Sequence, residues 1–411
     1  MTAHAEVPAA AGAVPAGQMR TTALFLPLFA PFGISSGYVS VTLGFLLHRA
    51  GLSVATVATL VALSVWPQTW KVFWAPIVDT VGNPKLWYGL GAALVGTTIL
   101  AMSVLPATRA ELTALAVLVL LSSVASTLVS MSTEVFMAHC VAPDAQGSAS
   151  GWAMAGNLGG AGIGGGLGLT LAEHAGTPWV SGAVLGAICF ACWAAVLALP
   201  PAPRGQRQGS YVAALVEVGR DVWKVAKSRL GYLALILMLL PIASGGVSWS
   251  AIAGEWRAGA DLVALVNGVA GGLVSAVGCL IGGYVCGRMD VKRAYALFGI
   301  LCGVAAVTMA WLPRTPTNFV TFTMLYALTT GSGYAAYSAV VLEAIGKGAA
   351  ATKFNLFSAL SNVPIAAMTT WDGIIHDRLG TRVMLYFELA APAATLTLFA
   401  GFAHLTRPRR A

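Results

Sequence analysis

Charge is what this chain has least of. Only 9% of its 411 residues are Asp, Glu, Lys or Arg, while 57% are hydrophobic. Soluble domains carry roughly 25% charged residues. A water-soluble fold of this size has too little polar surface to cover so much apolar material, and a lipid solvent removes that demand because apolar side chains can then face outward. Cysteine is sparse as well, with six residues scattered from Cys140 to Cys302. Only Cys189 and Cys192 fall close together, in an apolar run where they read as small buried hydrophobes. The six histidines are dispersed, so no metal-ligand spacing is present, and neither a metal nor a cofactor is expected. The net charge of +8 does not point to nucleic acid, because the basic residues are not clustered with aromatics on one face. The first 19 residues contain no Lys or Arg and no continuous apolar core, so they do not resemble a secretory leader.

What is present is apolar sequence in regular blocks. Twelve segments have the roughly 20 residues needed to cross a bilayer: 23–47, 54–77, 86–105, 112–138, 149–171, 178–199, 230–252, 262–285, 294–312, 318–345, 352–375 and 382–405. With the N-terminus in the cytoplasm, 17 of the 23 Lys and Arg fall on the cytoplasmic side and 6 outside. That asymmetry supports both the number of spans and the orientation. The predicted fold class is an all-α membrane protein of 12 transmembrane helices in two pseudo-symmetric six-helix bundles. The predicted organisation is a disordered cytoplasmic tail (1–22), an N-terminal bundle (23–199), a basic cytoplasmic linker with an amphipathic helix (200–229), a C-terminal bundle (230–405) and a basic cytoplasmic tail (406–411).

The two halves look related. Ser122, Ser126, Ser130 and Glu134 step by four along span four, and Thr330, Tyr334 and Ser338 repeat the step in span ten, followed by Glu343. An offset of 208 relates the hydroxyl positions and also aligns "APIVDTVGNPK" after span two with "GYVCGRMDVKR" after span eight. Duplicated transporters retain internal similarity of this kind. Residues four apart share a helix face, and hydroxyl stripes concentrate in spans one, four, seven and ten, Tyr38 and Trp249 among their neighbours. That three-helix rhythm predicts a shared aqueous cavity. Gly156, Gly160, Gly164 and Gly168 in span five, and Gly268 and Gly272 in span eight, form small-residue stripes, which predict close helix contacts where the halves meet.

A charge inside a bilayer costs about 2.5–3.5 kcal/mol or more on insertion scales, so each one needs a reason. Glu134 and Glu343 are candidates for proton coupling, with a structural ion pair as the alternative, Glu343 with Lys347 for example. Lys71, in "WPQTWKVFWAPIVDT", either snorkels or pairs at a gate, or attracts an anionic cargo beside Gln68. Asp79 and Arg288, in the two aligned loops, are candidate gate residues. Asn362, like Asn157, either bonds cargo or joins helices.

These residues carry a family resemblance. The twelve spans, the related halves and the acidic loop between spans two and three resemble the major facilitator superfamily. Within it, Lys71, Trp74, Ala75, Pro76 and Asp79 match the signature of the AmpG-type muropeptide permeases and their acetyl-coenzyme A transporter relatives. "STEVFMAHCVAPDAQGSASGW" is similar to that family's fourth span, with Glu134 where an Asp is usual, and "AATKFNLFSALSNVPIAAMTTWDGIIHDRLG" resembles its span eleven. The resemblance implies proton-driven uptake by alternating access in a bacterial inner membrane. The cargo would be a bulky polar or anionic small molecule of muropeptide, siderophore or acyl-coenzyme A type. The expected partners are a small-molecule substrate, protons and the lipid bilayer, without nucleic acid; the sequence leaves the oligomeric state open, with a monomer as the simplest expectation. The competing expectations are a non-transporting sensor or assembly factor on the same fold, or a membrane-embedded transferase; an enzyme is not expected.

Overall fold

The computed structural model describes residues 22–74, 83–141, 146–199, 227–241, 249–345 and 350–405, with five isolated positions between 216 and 224. Ala75, Pro76, Asp79, Lys347, both tails and most of the linker lie outside the described residues. Among the described residues there is no strand, and helix falls in each of the twelve predicted segments. The helices are α1 (Phe25–Arg49), α2 (Val54–Trp70), α3 (Pro84–Val104) and α4 (Leu112–Cys140). Next comes α5, which runs through Gln146–Gly162, Ile163–Leu167 and Gly168–His174. They continue with α6 (Trp179–Trp193), α7 (Arg229–Leu237), α8 (Ala260–Cys286) and α9 (Val291–Trp311). The last are α10 (Pro316–Ile345), α11 (Ala350–Leu379) and α12 (Thr381–Leu405). Seven helices among the described residues are long and apolar enough to cross a membrane.

Local chemistry sets the helix ends. Ser53, Asn83, Ser228 and Asp290 cap α2, α3, α7 and α9 by accepting from the backbone N–H of Thr56, Lys85, Gly231 and Arg293, satisfying donors that a helix start leaves unpaired. Gly51 and Gly380 close the α1–α2 and α11–α12 turns with φ of 87° and 85°, a left-handed conformation that only glycine adopts cheaply. These turns, with those joining α3 to α4, α5 to α6 and α9 to α10, lie at one end of the molecule, called here the short-turn end. Three helices contain a wider π-helical stretch near that end: Tyr38–Leu43 in α1, Ile163–Leu167 in α5 and Ala264–Ala270 at the start of α8.

The first six and last six helices touch along α2–α11 and α5–α8. The glycines explain how, and here the structure corrects the sequence expectation. The Gly156, Gly160, Gly164 stripe does not face the other half. A Cβ on those residues would lie 2.1–2.4 Å from the carbonyl oxygens of Leu26, Ala30 and Ile34, so the stripe locks α5 onto α1. The neighbouring face of α5 makes the seam: a Cβ on Gly268 would stand 2.5 Å from Gly166 Cα, and one on Gly272 would stand 2.9 Å from the Leu158 carbonyl. On α11, a Cβ on Gly373 would meet Ala55 Cα at 2.7 Å. Helices that are glycine-rich on two sides can approach two partners at backbone distance.

Candidate functional site

Lys71 is not on an α-helix. α2 ends at Trp70, and Lys71–Phe73 forms a turn of 3-10 helix. Pro67, four residues earlier, removes a backbone donor from the last turns of α2. The Trp74 ring stands edge-on against that of Trp70, centroids 4.4 Å apart, and its indole Nε1 donates to Thr127 Oγ1 on α4 at 3.1 Å, while Trp66 and Trp70 stay exposed. Lys71 turns inward and is 6% exposed. Its Nζ lies 3.4 Å from Ser130 Oγ and 3.7 Å from Glu134 Oε1. One turn back on α2, Gln68 Nε2 donates to Ser126 Oγ at 3.2 Å. One turn further along α4, Ser122 shares a 2.8 Å hydrogen bond with Ser35 of α1.

The four-residue step on α4 therefore becomes a continuous polar line against α1 and α2. Its serines are at most 3% exposed, so in this conformation they face protein rather than a water-filled space. Only Glu134, at the line's end, keeps appreciable access, with 30% of its side chain exposed. Lys71 is thus a buried ammonium held by long contacts. A charge-assisted N–H···O bond ordinarily spans roughly 2.7–2.9 Å, so a better-placed anion could displace its present partners.

The other predicted site residues lie apart from this cluster. Tyr38 is 1% exposed, in the π-helical part of α1. Trp249 is fully buried against Tyr326, ring centroids 4.7 Å apart. In α10, Thr330 approaches Cys302, the Ser338 hydroxyl donates back to the Tyr334 carbonyl, and Tyr334 borders a small void with Tyr337 and Ser361. Asn362 donates to the Ser358 carbonyl of its own helix, α11. Glu343 is exposed and pairs with Lys292 of α9. Arg288 is exposed, its guanidinium lying 3.6 Å from the centre of the Tyr284 ring.

At the short-turn end the halves are sewn together by polar groups, of which the sequence singled out only Ser40 and Ser250, in the hydroxyl stripes of spans one and seven. His174 on α5 meets Asp261 on α8 at 2.8 Å. Ser250 donates to the Ser40 carbonyl of α1 at 2.6 Å. Asp377 on α11 accepts from the backbone N–H of Ala55 on α2 at 3.1 Å. His376, adjacent, bonds Glu255 at 2.9 Å, and Glu255 also accepts from Thr381 and pairs with Arg314. His376, Asp377 and Glu255 lie beyond the predicted spans. Burial alone would lower the basicity of the His376 imidazole, but the bonds and charges of Glu255 and Asp377 carry it above its ordinary value. Burial also opposes ionisation of the two carboxyls. For Glu255 the bonds from His376 and Thr381 and the Arg314 charge win, and for Asp377 the bonds from Ser53, His376 and Ala55 win, so both are held below the ordinary range.

Sequence reasoning also passed over Asp372 in α11 and Glu388 in α12, 0% and 2% exposed. Their signal was available. Each is an acid inside a predicted span, Asp372 three residues before the end of its own and Glu388 in a segment otherwise poor in polar groups.

The profile of the Major Facilitator Superfamily matches residues 24–369. The chain belongs to that superfamily. It is 25% identical over 411 residues to a protein named transporter AmpG 4 from Rickettsia conorii, covering 93% of this chain and 98% of the relative. It is 26% identical over 355 residues to the anhydromuropeptide permease of Escherichia coli K12, covering 80% and 69%. Among solved structures, a POT family transporter in complex with 5-aminolevulinic acid superposes with a TM-score of 0.72 at 11% identity, covering 94% of this chain and 97% of that one, a likeness of fold alone. The chain is a multi-pass membrane transporter of this superfamily with AmpG-type relatives.

Proposed function

We propose that this transporter is a secondary active importer of the bacterial inner membrane with both termini cytoplasmic. It works by alternating access and couples uptake of a bulky anionic sugar-peptide of the muropeptide class to protons. The observation that carries the proposal is the Lys71 cluster: a buried ammonium whose contacts with Ser130 and Glu134 are 3.4 and 3.7 Å. A cargo carboxylate that reached Lys71 at normal hydrogen-bond distance would displace Glu134, the partly exposed acid at the end of the line, and Glu134 is the group on which we place the coupled proton. Cargo and proton would then bind together because each removes the other's competitor. Gln68, Ser126 and Ser130 supply the adjoining hydrogen-bonding groups. The two named relatives support the sugar-peptide class over siderophores and acyl-coenzyme A.

The test is uptake of a radiolabelled anhydromuropeptide into proteoliposomes with and without an inward pH gradient. Gradient-stimulated uptake is expected. Lys71→Ala should lose cargo binding, and Glu134→Gln should bind cargo but lose the gradient dependence. Wild-type protein that neither binds nor moves the labelled cargo would return the reading to a sensor on a transporter fold.

A further inference from the structure

We propose that Asp372 and Glu388 together form a proton-binding site, distinct from the Lys71 cluster, and that its loading controls whether the short-turn end can part. The inference deepens the transport reading and rests on it for its purpose, though not for its chemistry.

Among the described residues, neither carboxyl oxygen of Asp372 meets a hydrogen-bond donor, and the side chain is fully buried. It faces the carboxyl of Glu388, which accepts from the Tyr326 hydroxyl of α10 at 3.0 Å. Two carboxylates side by side in an apolar interior repel each other, and each also bears the cost of burial. One proton changes this: an O–H bond forms on one carboxyl and donates to an oxygen of the other. When the proton leaves, the pair regains a negative charge and loses that hydrogen bond.

The surroundings suit a site that holds a proton rather than a permanent ion pair. Among the described residues no Lys or Arg forms an ion pair with Asp372. Around the two carboxyls, α10 contributes Tyr326 and α9 contributes Cys302. At Gly373, α2 presents Ala55, Ala58 and the Val54 carbonyl, none of them a charged group. The neighbouring charged groups on α11 are His376 and Asp377, one turn on and tied to Glu255 and Arg314. A second spare polar group lies against Tyr326: among the described residues the buried indole Nε1 of Trp249 has no acceptor, and its ring packs on the Tyr326 ring. Pro392 is buried four residues beyond Glu388 and has no N–H, so the Glu388 carbonyl lacks its helical donor.

The same helix connects the pair to the seam. Asp372 is followed directly by Gly373, where α11 meets the α2 backbone, and one turn later Asp377 holds the Ala55 N–H. Asp372 and Glu388 stand at equal distances in sequence on either side of Gly380, the turn from α11 into α12. Charging the pair pushes α11 from α12, and the displacement reaches the α2–α11 contact directly.

The experiment uses the full-length protein in liposomes without cargo. Infrared difference spectra between about pH 5 and about pH 9 should contain a protonated-carboxyl band that disappears as the pH rises. Asp372→Asn and Glu388→Gln should each abolish that band, and Asp290→Asn, at a solvent-exposed helix cap, should leave it. Tyr326→Phe, the gentlest change to the fold, should keep the band and shift its midpoint by about one pH unit. In a His376→Gln background, the distance between spin labels at Ser53 and Arg378 should follow pH in step with the band, and adding Asp372→Asn should make it constant. A band untouched by either carboxyl variant, a band removed by sodium at fixed pH, or a label distance that still follows pH in Asp372→Asn would each overturn the proposal. Failure of muropeptide uptake would leave a titrating band standing, whereas uptake with an unaltered band in both variants would strike only the proton site.

Discussion

Lys71 and Glu134 form an unequal pair. The lysine is buried and the glutamate keeps some water contact. Removing one partner of a buried pair costs about 3–5 kcal/mol when the remaining charge stays buried. Glu134→Gln leaves the ammonium in that position, whereas Lys71→Met leaves a carboxylate that can hydrate. We expect Glu134→Gln to lower the thermal midpoint by clearly more than Lys71→Met, checked by differential scanning of detergent-purified protein. At the short-turn end the signs run in opposite directions. The His376 imidazolium has a raised folded value, so its contribution is full below about pH 6.5, the ordinary value, and is lost as the pH climbs through the folded one. Asp377 and Glu255 have depressed values, so theirs is full above about pH 4 and is lost as the pH falls through the folded ones. The sewn end is therefore tightest in mildly acidic medium. Hydrogen-exchange protection of the Ala55 amide should decline from about pH 6 to about pH 8, and His376→Gln combined with Asp372→Asn should remove that decline.

The glycines make the element-scale prediction. Gly268→Ala places a methyl 2.5 Å from the Gly166 backbone, which cannot be absorbed by a rotamer, so α5 and α8 must separate. Spin labels near His174 and Asp261 should report a longer distance in that variant. Gly283→Ala, on the same helix with nothing within 4 Å, should instead stabilise by about 0.5–1 kcal/mol. The sequence showed that these helices would approach closely, since small residues at a four-residue step have little other use in lipid. It did not show which face met which neighbour, because α5 carries glycine on two sides. Lys71 shows a similar limit. Its unusual place in an apolar run was legible, but its direction depended on the change from α to 3-10 winding after Trp70. The α4 stripe was legible as a polar face, while its burial depended on Ser35 and Gln68 arriving from other helices. Asp372 and Glu388 needed no tertiary information to be noticed as buried acids, only to be recognised as neighbours.

At the scale of the whole molecule, the structure is closed at the short-turn end by contacts between its halves: α5 to α8 through His174 and Asp261, and α2 to α11 through Ala55 and Asp377. Alternating access requires these to open. Cysteines at His174 and Asp261, bridged by a short cleavable bifunctional thiol reagent, should stop uptake until the linker is cut, while the same reagent leaves the wild type active. Uptake that continued in the bridged protein would show that this end never parts. The π-helical stretches in α1, α5 and α8 lie where that movement is needed. A π turn stores one residue more than an α turn, and the surplus can be handed along the chain at little cost in hydrogen bonds. Each hand-over swivels the rest of the rod by about 100°. Three rods so equipped at one mouth can rotate their tips past one another while the remainder of each stays wound.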